Sequence, residues 1–276
     1  MDETRASKTV SKKDSHRYGG VIPCGDSPED WERHRKDAEL GDPSGQYKLG
    51  AMYQLGWGVP KDYAEALKWF RLAAEQGSAP AAHQIAIHIS LGVGTPQDDK
   101  EALKWFRLAA EGGVTQAYFL LGWRHHHGLG TPRDDQEALK WFRLAADDGL
   151  PEAQFMLGMF YELGYGGPKD YGQSVKWHLL AARQGCAESY YHLGLIRCNG
   201  HGVPQDAQEA AKYFRRAAEL GMARAQTFFG YMCESGLGVP QDPDEAQKWF
   251  RLAEAQEGDE ARLMLAKLRE NGPNGL

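Results

Sequence analysis

Apolar and small residues recur along this chain at helical spacing, and the whole pattern then recurs thirty-six residues later. In the first copy Gly45, Leu49, Gly50 and Tyr53 fall on one side of a helix predicted over residues 44–55. Gly56 follows, where glycine most easily takes the left-handed conformation that ends a helix. Gly58 and Pro60 then stop the helix from continuing. Asp62 is placed to cap a second helix, which reads EALKWFRLAAEQG and ends at Gly77. Glu65, three residues after the cap, completes a capping-box pattern. On this second helix Ala66, Trp69, Phe70, Ala73 and Ala74 form a stripe wide enough to bury.

The step holds six times. Gly41, Gly77, Gly113, Gly149, Gly185 and Gly221 keep it, as do the series beginning at Gly56, Gly58, Pro60 and Asp62. The spacing predicts an all-α chain of six helix-turn-helix repeats over residues 42–77, 78–113, 114–149, 150–185, 186–221 and 222–257. A single hairpin has too little interior to stand alone, so each must be covered by its neighbours. Residues 27–41 read as an N-terminal capping helix opened by Ser27, Pro28, Glu29 and Asp30, and residues 258–276 as a C-terminal capping helix and tail. Residues 1–26 are polar and mixed in charge, the composition of a disordered segment.

Composition narrows the function. No apolar run reaches the length of a membrane-spanning helix, and the start of the chain has no signal-peptide core, so membrane insertion is not expected. Thirty-two bases against 38 acids, interspersed, offer no basic face for nucleic acid. Four cysteines are too few for a disulfide scaffold. Cys186 and Cys198 stand twelve residues apart on one predicted helix, beyond any disulfide. Reduced thiols and a cytoplasmic location are the expectation.

Leu49-Gly50, Tyr53, Gly56-x-Gly58-Val59, Asp62, Ala66, Trp69-Phe70 and Ala73-Ala74-Glu75-Gln76-Gly77 together resemble the Sel1-like repeat, a cousin of the tetratricopeptide repeat. The resemblance implies an α/α right-handed superhelix (solenoid), with the first helix of each pair, helix A, lining a concave surface. It also implies an adaptor or scaffold that binds a protein or peptide partner. A cysteine-rich branch of the family, linked to β-lactam binding or hydrolysis, matches poorly, because its paired cysteines are missing here. A small-ligand binder or weak hydrolase of that kind is the alternative reading, and a structural homo-oligomer is a third. Oligomeric state is open, with the monomer favoured.

Three A-helix positions at spacing i, i+4 and i+7 lie away from the Gly45/Leu49 stripe and vary between copies, as a binding surface does. They run Tyr47, His83, Phe119, Phe155, Tyr191, Thr227; then Ala51, Ile87, Trp123, Met159, Leu195, Tyr231; then Gln54, Ser90, His126, Glu162, Cys198, Glu234. The partner site expected from them comprises Tyr47, His83, Phe119, Trp123, His126, Phe155, Met159, Glu162, Tyr191, Leu195 and Tyr231, an apolar groove with a polar margin suited to a short helix or extended peptide.

Other chemistry finds less support. His125, His126 and His127 are adjacent, and successive helical residues point about 100° apart, so they cannot share one ion. Glu188 and His192 are four apart and within reach of each other on one helix. The Gly-x-Gly-Val-Pro segments follow no strand and so are not phosphate loops. No nucleophile or metallohydrolase motif occurs. The chain is therefore expected to be non-enzymatic, with no cofactor and no metal.

Overall fold

The computed structural model describes residues 30–272. The proposed tail and the Ser27–Glu29 start of the capping helix lie outside that range. Fourteen helices and no strand occur among the described residues. They are α1 (Trp31–Glu39), α2 (Pro43–Leu55), α3 (Tyr63–Glu75), α4 (Ala79–Leu91), α5 (Asp99–Glu111), α6 (Thr115–His127) and α7 (Asp135–Asp147). Then follow α8 (Pro151–Leu163), α9 (Tyr171–Arg183), α10 (Ala187–Asn199), α11 (Ala207–Glu219), α12 (Ala223–Ser235), α13 (Pro243–Glu257) and α14 (Asp259–Asn271). Even numbers from α2 to α12 are the A helices of the six repeats. Two units form, one ending at Asp134 and one beginning at Asp135. Within each, consecutive helices pack against one another in chain order.

The turn chemistry explains the boundaries. Every A helix from α2 to α12 ends on a left-handed glycine, with φ between 66° and 78° at Gly56, Gly92, Gly128, Gly164, Gly200 and Gly236. The second glycine of each turn does more than break a helix. A side chain on Gly94 would meet Tyr63, one on Gly130 would collide with the Asp99 carbonyl, and one on Gly238 with that of Ala207. These glycines let the turn of one repeat rest on the first turn of the preceding B helix.

Asp62 accepts from the amides of Ala64 and Glu65 at 2.9 and 3.0 Å, and Asp98, Asp170, Asp206 and Asp242 cap their helices likewise. The reciprocal half of the expected capping box is replaced. The amide of Asp62 donates to the Tyr53 carbonyl of the A helix at 3.0 Å, and the same bond recurs in all six copies. Glu65 is left to pair with Lys68 at 2.6 Å.

Inside four of the repeats a B-helix ring lies on an A-helix glycine, at Gly50, Gly158, Gly194 and Gly230, and Ala86 takes the glycine's place in the second repeat. A methyl built at Gly50 would stand 2.7 Å from Phe70, and at Gly194 2.8 Å from Phe214. Phe70, Phe106, Phe142 and Phe214 are almost wholly buried, and this layer of rings against Ala and Gly is the core.

Candidate functional site

In the first unit the expected groove residues divide between core and surface. Tyr47 is half-buried with its ring 5.7 Å from Phe70. His83 is buried, 5.9 Å from Phe106. Burial alone pushes its pKa down to about 4. Phe119 and His126 are half-buried. Trp123 is 39% exposed and stacks on His127 at 4.1 Å. His127 Nδ1 in turn lies 2.9 Å from the Trp123 carbonyl oxygen, which fixes the pair.

In the second unit Phe155, Met159, Glu162, Leu195 and Tyr231 are half-buried, and Tyr191 is 9% exposed. Tyr191 packs 5.6 Å from Phe214 and 5.7 Å from Phe228, and burial raises its hydroxyl pKa to about 12. Tyr47, His83, Phe155 and Tyr191, all at the first position, thus pack on the B-helix ring of their own repeat. The reason is the number of neighbours. An A helix is covered on several sides, to the extent that α4 buries nine consecutive residues from Ala81 to Ile89. The most exposed of the expected groove residues is Trp123, at the second position.

The histidine tract does not converge. Arg124 and His125 are buried, with Arg124 Nη1 2.9 Å from Asp99, while the rings of His126 and His127 stand perpendicular. Cys186, Cys198 and Cys233 are free thiols, and burial raises the pKa of the last two to about 11. Such thiols stay protonated and unreactive at neutral pH.

Three side chains that no local spacing brought together meet in the second unit. Glu162 of α8, His178 of α9 and His192 of α10 place their ligand atoms within 4.8 Å of one another. Glu162 Oε2 stands 3.1 Å from His192 Nδ1 and 3.6 Å from His178 Nε2. The two imidazoles lie parallel, their centroids 5.2 Å apart, and Phe155 stands 5.7 Å from each. His178 occupies the register of Phe70 and is fully buried. Its Nδ1 lies 3.4 Å from Ser189 Oγ, while its buried Nε2 has no hydrogen-bond partner. Burial works against the Glu162 carboxylate, yet the two imidazoles more than offset it and hold its pKa at about 2. Burial pushes His178 below the usual histidine range, with Glu162 offsetting part of that. Glu188 does not pair with His192 here; it accepts from the Cys186 thiol at 3.5 Å. The signal available in the sequence was a change of residue type. His178 replaces Phe, Ser174 replaces Ala, and Ser189 replaces Gly or Ala at positions that are apolar in the other copies.

Stacked helical hairpins of one length, closed by the same glycines and caps, define an all-helical repeat solenoid. The Sel1 repeat family model matches residues 43–78, 79–114, 115–150, 151–186, 187–222 and 223–257, each beginning one residue after the boundary set by the glycine lattice, and the chain belongs to that family. Its fold is similar to that of c5321, a protective antigen of uropathogenic Escherichia coli strains displaying an SLR fold, at 35% identity and a TM-score of 0.83. That match covers 89% of this chain and 52% of the other, so the chain spans about half the length of that relative. A Sel1 repeat protein from Oxalobacter formigenes is similar at 34% identity and a TM-score of 0.73, covering 88% of this chain and 70% of that one. No curated protein matches the chain. Sel1 repeat proteins typically mediate protein–protein interaction and are generally non-enzymatic. No described helix is long and apolar enough to cross a membrane.

Proposed function

We propose that this chain is a non-enzymatic adaptor whose A-helix face holds a segment of a protein partner. The observation that carries the reading is Trp123, an aromatic on that face that stays 39% exposed although its ring is already fixed by His127. An exposed aromatic with a settled rotamer binds at little ordering cost, which is how interface anchors act. In the second unit Met159, Leu195 and Tyr231 add partly exposed apolar surface at the equivalent positions. A peptide with apolar anchors fits such a face. The cytoplasmic location expected from composition belongs to the same proposal, supported by the free thiols of Cys186, Cys198 and Cys233.

Trp123→Ala tests it. With the partner segment in hand, the variant is expected to bind at least about tenfold more weakly, with unchanged far-UV helicity. Equal affinity of variant and wild type contradicts the proposal.

A further inference from the structure

We propose that Glu162, His178 and His192 form a binding site for a divalent transition metal ion, zinc in the first instance. This site goes beyond partner binding and stands whether or not the A-helix face is the docking surface.

Donor chemistry comes first. Two imidazoles and a carboxylate are a ligand set that zinc takes readily, and zinc imposes no geometry of its own from d-electrons. Zinc held tetrahedrally at roughly 2.0–2.1 Å keeps its ligand atoms about 3.3 Å apart. The two separations at Glu162 Oε2, 3.1 and 3.6 Å, bracket that spacing. All three donors already lie within 4.8 Å of one another, so small rotations of the half-buried Glu162 and His192 side chains complete the triangle around a fixed His178.

The surroundings of His178 point the same way. Its Nδ1 faces Ser189 Oγ, an outer partner of the kind that sets the tautomer of a ligating histidine. With the proton on Nδ1, the Nε2 lone pair points toward a carboxylate oxygen, buried and without a hydrogen-bond partner. In that tautomer Nε2 and Oε2 face each other as two acceptors, an arrangement that suits a cation between them. A metal ion satisfies Nε2, Oε2 and His192 Nδ1 at once.

His178, Ser174 and Ser189 are all fully buried, and each stands where the other copies carry an apolar or small residue. Polar replacements in a repeat core are costly unless they serve something. Three protein ligands leave a fourth position for water or for a donor on another molecule. Glu162 and His192 are half-buried, so the cluster reaches the surface at their side.

The test is zinc titration of the tag-free, chelator-washed full chain by calorimetry, with cobalt as a spectroscopic probe. Wild type is expected to take up one zinc per chain with low-micromolar or tighter affinity, to melt higher with zinc present, and to give the visible bands of tetrahedral cobalt. His178→Phe restores the residue of the other copies and should fold. It is expected to bind zinc at least about 100-fold more weakly and to lose the zinc-dependent rise in Tm. Glu162→Gln, which keeps shape and hydrogen bonding, should also weaken binding at least about tenfold. His126→Ala/His127→Ala should leave the stoichiometry and affinity unchanged. Absence of saturable binding in wild type overturns the proposal. So does binding that survives both cluster variants, or that disappears with the histidine-tract variant instead.

Discussion

The imidazole of His178 lies against Gly158 so closely that a methyl group built there would stand 2.6 Å from the ring. Phe250 holds the same relation to Gly230, also at 2.6 Å. A ring wedged between helices cannot swing away as the end of a lysine can. Gly158→Ala gains about 0.8–1 kcal/mol in helix propensity and loses about 1–3 kcal/mol by overpacking. A net loss of about 1 kcal/mol is expected in urea denaturation, and Gly230→Ala should behave alike.

Two glycines of the second unit separate backbone conformation from stacking. Gly221 has φ +92° with nothing within 4 Å of an added Cβ, whereas Gly238 has φ +72° and its Cβ would strike the Ala207 carbonyl. Gly221→Ala is expected to cost about 1–2 kcal/mol, the left-handed penalty. Gly238→Ala should cost at least about 2 kcal/mol more, because the repeat must also move off its neighbour. Equal losses in parallel denaturant titrations would show that the second glycine is only a helix breaker.

The Asp62 cap gives a third comparison. Asp62→Ala removes the acceptor of two helix amides and is expected to destabilise by about 1 kcal/mol. Glu65→Ala should change stability by less than about 0.5 kcal/mol, since the Asp62 amide already bonds to the Tyr53 carbonyl. A true capping box would make the two losses similar, which thermal melts of the pair can decide.

His83 sets a pH dependence. Its pKa is 6.5 unfolded and about 4 in the buried site, so the unfolded chain takes up the proton first as pH falls. The contribution is fully present above about pH 6.5 and is lost progressively down to about pH 4, up to about 3 kcal/mol. His83→Phe, the residue type of Phe119 and Phe155 in that register, removes this proton uptake. Its stability should fall less steeply between pH 7 and pH 4 than that of wild type. Parallel slopes would mean that His83 takes up its proton as readily in the folded chain as in the unfolded one.

The repeat, the helix limits and the aspartate caps were legible because they recur, and recurrence at a fixed step needs only the sequence. The inward turn of Tyr47, His83 and Tyr191 was hidden for a geometric reason. A helical-face argument assumes one buried side, and an A helix between neighbours has more than one. The Glu162, His178 and His192 cluster was hidden for the opposite reason. It is built from residues that break the repeat, carried on three helices, so neither the period nor any local spacing rule finds it. His178 in a phenylalanine register was its visible trace.

Whether partners sit on the A helices is read most directly by site-specific photocrosslinking. A benzophenone amino acid is placed at Trp123 or Met159 on A helices, and at Lys68 or Lys212, exposed on B helices. After irradiation in the source cells, polypeptide adducts are expected from the A-helix positions, with the same partner segment identified by mass spectrometry on repeated trials. Adducts confined to Lys68 and Lys212 would put the partner on the opposite face and contradict the account.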